Sequence, residues 1–183
     1  EKPSAAADLA AGICLAFGLT SQRDRDGLIH ISNGDTILPL AGHLLETVKP
    51  GHYLSQAHGE IERTRNFPKY ADFLPVLPKV LIKQPRTDGD AKSSKPFRPY
   101  LLAAKILPKA KEIVNAGDTD REGQLIVDEL LEHLDIDPYG QRPMVWRFGV
   151  PSNLAEDIAK ALKQPMQKNS GDVWRLRGAA AQT

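Results

Sequence analysis

Ile113-Val114-Asn115-Ala116-Gly117-Asp118-Thr119-Asp120-Arg121-Glu122-Gly123-Gln124 is the stretch on which the reading of this chain turns. It opens as a short apolar run with β-branched residues, the pattern of a buried strand. It closes by leading into Leu125 to Leu134, which is apolar-rich and reads as a helix. Between the two, Asp118, Asp120 and Glu122 fall on alternate positions. Packing alone has no use for that arrangement, since two unit charges about 5 Å apart repel by roughly 3 kcal/mol at an effective dielectric near 20. Something positive must offset the repulsion, and a divalent metal bound by oxygen ligands is the simplest candidate. The helix start helps modestly through its dipole, and open α/β sheets place their sites at the carboxyl ends of strands. The plainer alternative is a solvated turn in which Asp120 or Thr119 merely caps the helix.

At 183 residues the chain has room for one sizeable domain, or one domain plus part of another. Its 41% hydrophobic and 26% charged residues exclude disordered and fibrous classes. No apolar run reaches membrane-spanning length, which argues against an integral membrane protein. A formal charge of +1 gives no bulk argument for nucleic-acid binding, so any such claim rests on local features. Cys14 is the single cysteine; it rules out an internal disulfide, fits a reducing cytoplasm and reads as a packing residue. There is no signal-peptide pattern, and the opening Glu1-Lys2-Pro3-Ser4 without a Met reads as a piece of something longer.

In chain order, Ser4 is expected to cap a helix that runs through the alanines to a stop at Gly18, with Leu9, Ile13 and Phe17 or Ala16 on its apolar face. Gln22 to Gly27 form a charged turn. Leu28 to Ser32 and Thr36 to Leu40 flank Asn33-Gly34-Asp35, a strong hairpin signal. Gly42-His43-Leu44-Leu45-Glu46 follows, where His43 alone reads as a core-edge histidine. The proline-punctuated region 47–96 contains one expected strand, Lys79 to Lys83, and an exposed loop from Arg86 to Lys95. Phe97 to Lys109 reads as a helix with Tyr100, Leu101, Ala104 and Ile106 apolar. Asp137-Pro138-Tyr139-Gly140 is a turn, Met144 to Phe148 a strand, and Ser152 or Asn153 caps a helix to Ala161. Gln164 to Gly171 reads as a linker, and Asp172 as the start of a last helix. No internal repeat is present. Helices alternating with strands give an α/β sheet with parallel pairs.

Asp118-x-Asp120-x-x-Gly123 after a strand resembles the metal motif of the Toprim fold, shared by topoisomerases, primases and some nucleases. The fuller Asp118-Thr119-Asp120-Arg121-Glu122-Gly123 is similar to type IA DNA topoisomerases. Glu1-Lys2-Pro3-Ser4 before an alanine-rich helix resembles the first motif of their topoisomerase III branch, and Gly42-His43-Leu44-Leu45-Glu46 resembles another of its elements. Gln124 departs from the Glu found in many relatives. The family's cleaving tyrosine lies in a later domain, and Tyr53, Tyr70, Tyr100 and Tyr139 match no motif; all four read as packing or surface residues. The resemblance implies a Rossmann-like, mostly parallel sheet flanked by helices with an inserted β-hairpin. It implies a Toprim catalytic domain over 1–151 and the start of a following helical domain, truncated, over 152–183.

The same resemblance implies ATP-independent transesterification on single-stranded DNA, relaxing negative supercoils or decatenating DNA. The attacking tyrosine belongs to the remaining domains of the same polypeptide. Glu1 would be the general acid for the leaving 3′-oxygen, and Lys2 a point cation at the scissile phosphate. Asp118 and Asp120 would hold Mg²⁺, with Mn²⁺ a possible substitute, and Glu122 and Glu1 complete the metal set. Each has a plainer reading: Lys2 as an ordinary surface charge, Arg121 as the partner of a nearby acid, and Arg147 beside Trp146 as a strand-edge pair. As DNA contacts, His43, Arg121 and Arg147 follow from the family likeness. The setting implied is cytoplasmic, at nucleoid or plasmid DNA, with no membrane. Alternatives are a Toprim metal-dependent nuclease, a primase (less similar in its motifs) and a non-catalytic DNA- or partner-binding module.

Overall fold

The computed structural model describes residues 3–40, 42–49, 52–53, 80–87 and 97–170. Glu1, Lys2, Tyr70, most of the expected loop 86–95 and the helix expected from Asp172 lie outside them. The chain divides into two compact units, Glu1–Leu44 with Arg86–Thr183, and Leu45–Pro85.

The first unit begins with α1 (Pro3–Phe17). Ser4 lies within this helix instead of capping it, and Gly18 ends it at φ +66°, where a Cβ would be strained. Ala6 and Ala10, with Ile13 and Cys14 beside them, pack on Ile29 and Ile31. A second face of Leu9, Ile13 and Ala16 meets Phe148, Ile158 and Leu162. Phe17 is 56% exposed, so Ala16 takes the core position. Short side chains let α1 bury two faces at once.

Three antiparallel strands follow: β1 (Ser21–Arg23), β2 (Ile29–Ile31) and β3 (Thr36–Ile37). β2 pairs with β3 across Asn33-Gly34-Asp35, with Gly34 at φ +97°. Gln22 and Arg23 belong to β1 and not to the expected turn; all three β1 residues are polar and exposed, so no alternation betrays the strand. The turn proper is held by Asp24, whose Oδ1 accepts from the amides of Asp26 and Leu28 at 2.9 Å each.

The second unit holds β4 (Leu45–Thr47) and β5 (Lys83–Pro85), an antiparallel pair with Glu46 opposite Gln84. The strand expected at 79–83 thus starts only at Lys83; Val80 and Leu81 are exposed by 71% and 60%. Gln84 Nε2 donates to Glu46 Oε1 at 3.0 Å, and Ile82 N donates to the Tyr53 hydroxyl at 2.7 Å.

Back in the first unit, α2 (Phe97–Ile106) runs into a single 3₁₀ turn, Leu107–Lys109. Its buried contact is Ala103, while Leu101, expected on the apolar face, is 51% exposed. Next come β6 (Glu112–Asn115), α3 (Arg121–His133) and β7 (Met144–Arg147), a strand-helix-strand unit with β6 and β7 parallel. α3 places Ile126 and Leu130 against Ala103, Leu40 and Leu44, and Leu131 against Ile113 and Val145. Full burial of Leu130, Leu131 or Ile158 contributes roughly 1.5–3 kcal/mol each. β6 buries one face only: Ile113 and Asn115 point inward, whereas Val114 is 46% exposed.

Beyond β7, α4 (Ala155–Ala161) docks on α1. Its N-cap residue is Leu154, not Ser152 or Asn153; Ser152 Oγ accepts from Leu154 N and donates to Asp157. Gly12 of α1 meets Ile158 so closely that a Cβ there would lie 2.3 Å from the Ile158 Cγ2. The expected linker 164–171 contains β8 (Gln167–Lys168), antiparallel to β7. Sheet order is therefore β6-β7-β8, mixed, with one parallel pair among the described strands.

Behind α3 lies a buried polar cluster. Asp128, 3% exposed, accepts from Gln124 Nε2 at 2.9 Å on both oxygens, from Asn169 Nδ2 at 3.1 Å and from the Tyr139 hydroxyl at 2.6 Å. Such a carboxylate needs these donors, because an unpaired buried charge costs several kcal/mol.

Candidate functional site

The acidic stretch leaves the sheet at the carboxyl end of β6 and turns into α3. Two glycines permit the turn. A Cβ on Gly123 would lie 2.5 Å from the Asp118 carbonyl oxygen, and one on Gly117 would lie 2.8 Å from that of Gly123. The loop is thus folded tightly back over the helix start. Asn115 Oδ1 accepts from Gly117 N at 3.0 Å, and Asp120 Oδ1 accepts from Gly123 N at 2.7 Å. Asp120 is therefore the N-cap of α3, as the plainer reading of the sequence had it, and its second oxygen remains for other work.

β-register sets Arg147 directly opposite Asn115, the last pair of the parallel ladder. From there its Nη1 lies 3.0 Å from the Asn115 carbonyl, 3.1 Å from Asn115 Oδ1 and 2.8 Å from the Gly117 carbonyl; Nη2 donates to the Asp118 carbonyl at 2.6 Å. Burial works against the guanidinium charge and lowers the Arg147 pKa, while Asp128, Asp120 and Asp118 oppose that shift. Arg147, expected from the family likeness as a DNA contact, turns both Nη atoms inward onto the loop carbonyls. Nothing in the local sequence marks it; only the strand register does.

Asp118, Asp120 and Glu122 are all exposed, as is Arg121 at the first position of α3. His43 comes from a distant part of the sequence, and its Nε2 lies 3.5 Å from Glu122 Oε1. The structure thus brings His43 to the acidic turn, away from the core-edge role it has in isolation. Glu1 and Lys2 lie outside the described residues. Tyr100 packs against His133 and Phe97, and Tyr139 reaches Asp128, which fits the packing roles expected of them. Gln124 stands where many relatives are expected to have Glu. It is fully buried and bonds Asp128 and Asn169, a role its sequence context does not disclose.

Against models of known families, residues 1–148 match the Toprim domain. The chain belongs to the Toprim domain family. Among curated proteins, this Toprim chain is similar to DNA topoisomerase 3 of Vibrio cholerae, 32% identical over 92% of the chain and 23% of that protein. It is 34% identical to DNA topoisomerase 3 of Salmonella typhimurium over 82% of the chain and 20% of the relative. With DNA topoisomerase 3 of Haemophilus influenzae the figures are 31%, 99% and 24%. The chain spans about a quarter or less of the length of these relatives.

In kind, the donors of this Toprim domain fit a hard divalent cation: three exposed carboxylates on one turn and no sulfur. Among the described residues, no three His, Cys, Asp or Glu side chains already gather closely enough to hold an ion. Asp118 and Asp120 are exposed, the Asp118 carbonyl bonded by Arg147 and Asp120 Oδ1 by Gly123 N, and Glu122 lies beside His43. No helix among the described residues is long and apolar enough to cross a membrane.

Proposed function

We propose that this Toprim domain is the metal-binding half of the active site of a type IA DNA topoisomerase of the topoisomerase III kind, an ATP-independent isomerase acting on single-stranded DNA. The observation that carries this reading is the acidic turn Asp118-Thr119-Asp120-Arg121-Glu122-Gly123, held at the carboxyl end of β6 within a Toprim match over 1–148. Similarity to three bacterial DNA topoisomerase 3 proteins over most of the chain supports it further.

In this scheme a tyrosine in the rest of the polypeptide attacks a phosphodiester. A phosphotyrosyl bond forms to the 5′-phosphate, and the bond from phosphorus to the 3′-oxygen breaks. Glu1 gives that oxygen its proton, and Lys2 offsets charge on the phosphate. A second strand passes through the gap, and the 3′-hydroxyl then reseals it. Asp118 and Asp120 hold Mg²⁺ (or Mn²⁺), with Glu122 and Glu1 as further ligands. When bound, the ion supplies positive charge that aligns the 3′ end for rejoining. His43 and Arg121 contact the DNA in this scheme; the position of His43 beside Glu122 supports the former.

The reading extends to architecture and setting. The meander β1-β2-β3 is the hairpin-bearing insertion of a mostly parallel, Rossmann-like sheet, of which β6 and β7 are the described parallel pair. The chain from 152 on leads into a following helical domain, its first helix docked back on α1. The protein works in the cytoplasm on nucleoid or plasmid DNA.

The test uses this chain, end-labelled single-stranded DNA and Mg²⁺, with thermal melting followed with and without the ion. Stabilisation by Mg²⁺ without cutting is the expected result. Cutting that disappears in Asp118→Asn would identify a self-sufficient nuclease and overturn the topoisomerase reading.

A further inference from the structure

We propose that Arg147 is a positioning residue for the cation of the acidic turn: its guanidinium fixes the loop backbone so that Asp118 and Asp120 present their carboxylates outward as ligands. This rests on the metal-binding reading above, but the observation behind it is separate. After Asn115 the chain leaves the β-ladder, and its carbonyls lose their strand partners. Buried or half-buried carbonyls still need donors. The Asn115 carbonyl keeps a backbone donor in Phe148 N at 2.9 Å, whereas Gly117 and Asp118 lie past the ladder; Arg147 bonds the carbonyls of both, and that of Asn115 as well, from the end of the neighbouring parallel strand.

A planar fork of N–H donors suits that task, and a lysine ammonium does not reproduce its geometry. With the Asp118 carbonyl drawn inward to Nη2 at 2.6 Å and the Asp120 side chain anchored on Gly123 N at 2.7 Å, the loop is fixed at both acids. The close passage of Gly123 under Asp118 leaves little room for another course. The turn is therefore organised by the protein itself before any ion arrives.

Position and charge act on the cation with opposite signs. The positive charge of Arg147, close behind the ligands, repels an incoming ion, so electrostatics alone makes Arg147→Gln bind metal more tightly. Loss of the pinned backbone makes the same variant bind more weakly. The positioning role predicts that the second effect wins.

The experiment is a titration of the whole chain with Mn²⁺ alone, followed by calorimetry or by the electron paramagnetic resonance of free Mn²⁺, for the unaltered protein, Arg147→Gln and Arg147→Lys. Both variants should bind Mn²⁺ about 10–100-fold more weakly, as is usual on loss of groups that orient metal ligands. Lysine, though it keeps the charge, should not rescue. Equal or tighter binding by Arg147→Gln, or full rescue by Arg147→Lys, overturns the inference and leaves the metal site standing. An unaltered chain that fails to bind Mn²⁺ removes both. Should both variants fail to fold, exchange of the Arg147 Nη protons in the unaltered, metal-free chain decides by NMR: slow exchange supports the pinned loop, and exchange as fast as that of a free arginine overturns it.

Discussion

Asp120 carries two duties that a single substitution can separate. Its Oδ1 caps α3 through Gly123 N, and its charge belongs to the acidic turn. Asparagine caps helices as well as aspartate does, whereas alanine does not. Asp120→Asn should therefore lose divalent-cation binding with little change in melting temperature, while Asp120→Ala should lose the binding and about 1 kcal/mol of stability as well. Paired melting and Mn²⁺ titration of the two variants checks both halves. At the same scale, the Asp24 carboxyl is held below its ordinary value of 3.8, first by the hydrogen bond with His30 and then by the amides of Leu28 and Asp26, with desolvation opposing. Its contribution is fully present above that ordinary value and vanishes as pH falls through the lower, folded one. Asp24→Asn should thus be less stable than the unaltered chain near neutral pH, and the gap should close on acidification. A gap that widened in acid would contradict the assignment.

Among the elements, the α1–α4 contact is the most tightly fitted. A methyl on Gly12 would meet Ile158 Cγ2 at 2.3 Å and Cβ at 2.6 Å. Gly12→Ala should cost about 1–3 kcal/mol by overpacking, and Ile158→Ala about 2–5 kcal/mol through the cavity it opens. Combined, the two should cost somewhat less than their sum, because Ile158→Ala removes the Cγ2 clash although its remaining Cβ, 2.6 Å away, still crowds the new methyl; denaturant melts of the double-mutant cycle read this directly. Local patterning made β6, α3, the Asn33-Gly34 turn and the Asp137–Gly140 turn legible, since periodicity and turn chemistry act within a few residues. β1 and β8 carry no local signal, because Ser21–Arg23 and Gln167–Lys168 are short, polar and defined only by the strand beside them. The acids themselves were legible, whereas Arg147 and the Gln124–Asp128–Asn169 contacts were not. The loop contacts of Arg147 and the Asn169 contacts depend on which residues the sheet register and helix packing bring together over 29 or more positions, while Gln124 and Asp128 are four apart on one helix and gain their meaning only from the burial around them.

For the molecule as a whole, the excursion Leu45–Pro85 leaves and rejoins the first unit at one spot. Arg86 N donates to the Leu44 carbonyl at 2.8 Å, so the two ends are already tied. Replacing 45–85 by a short Gly-Ser link asks little of the chain entropically, because closing a loop whose ends already meet is inexpensive. The shortened chain should fold cooperatively and retain its divalent-cation affinity, to within about twofold. Loss of cation binding would show that the acidic turn draws on the excursion.

The carboxylate of Asp128 also imposes an order on synthesis. Gln124 and Tyr139 emerge from the ribosome soon after it, but Asn169 follows 41 residues later. At about 5–20 residues per second, the nascent chain carries that unfinished contact for roughly 2–8 s. Until then the helix behind the acidic turn lacks one of its buried donors, even after the whole segment matching the family has been made. A released chain ended just past residue 148 should accordingly be more open to protease around α3 than one that runs through residue 183.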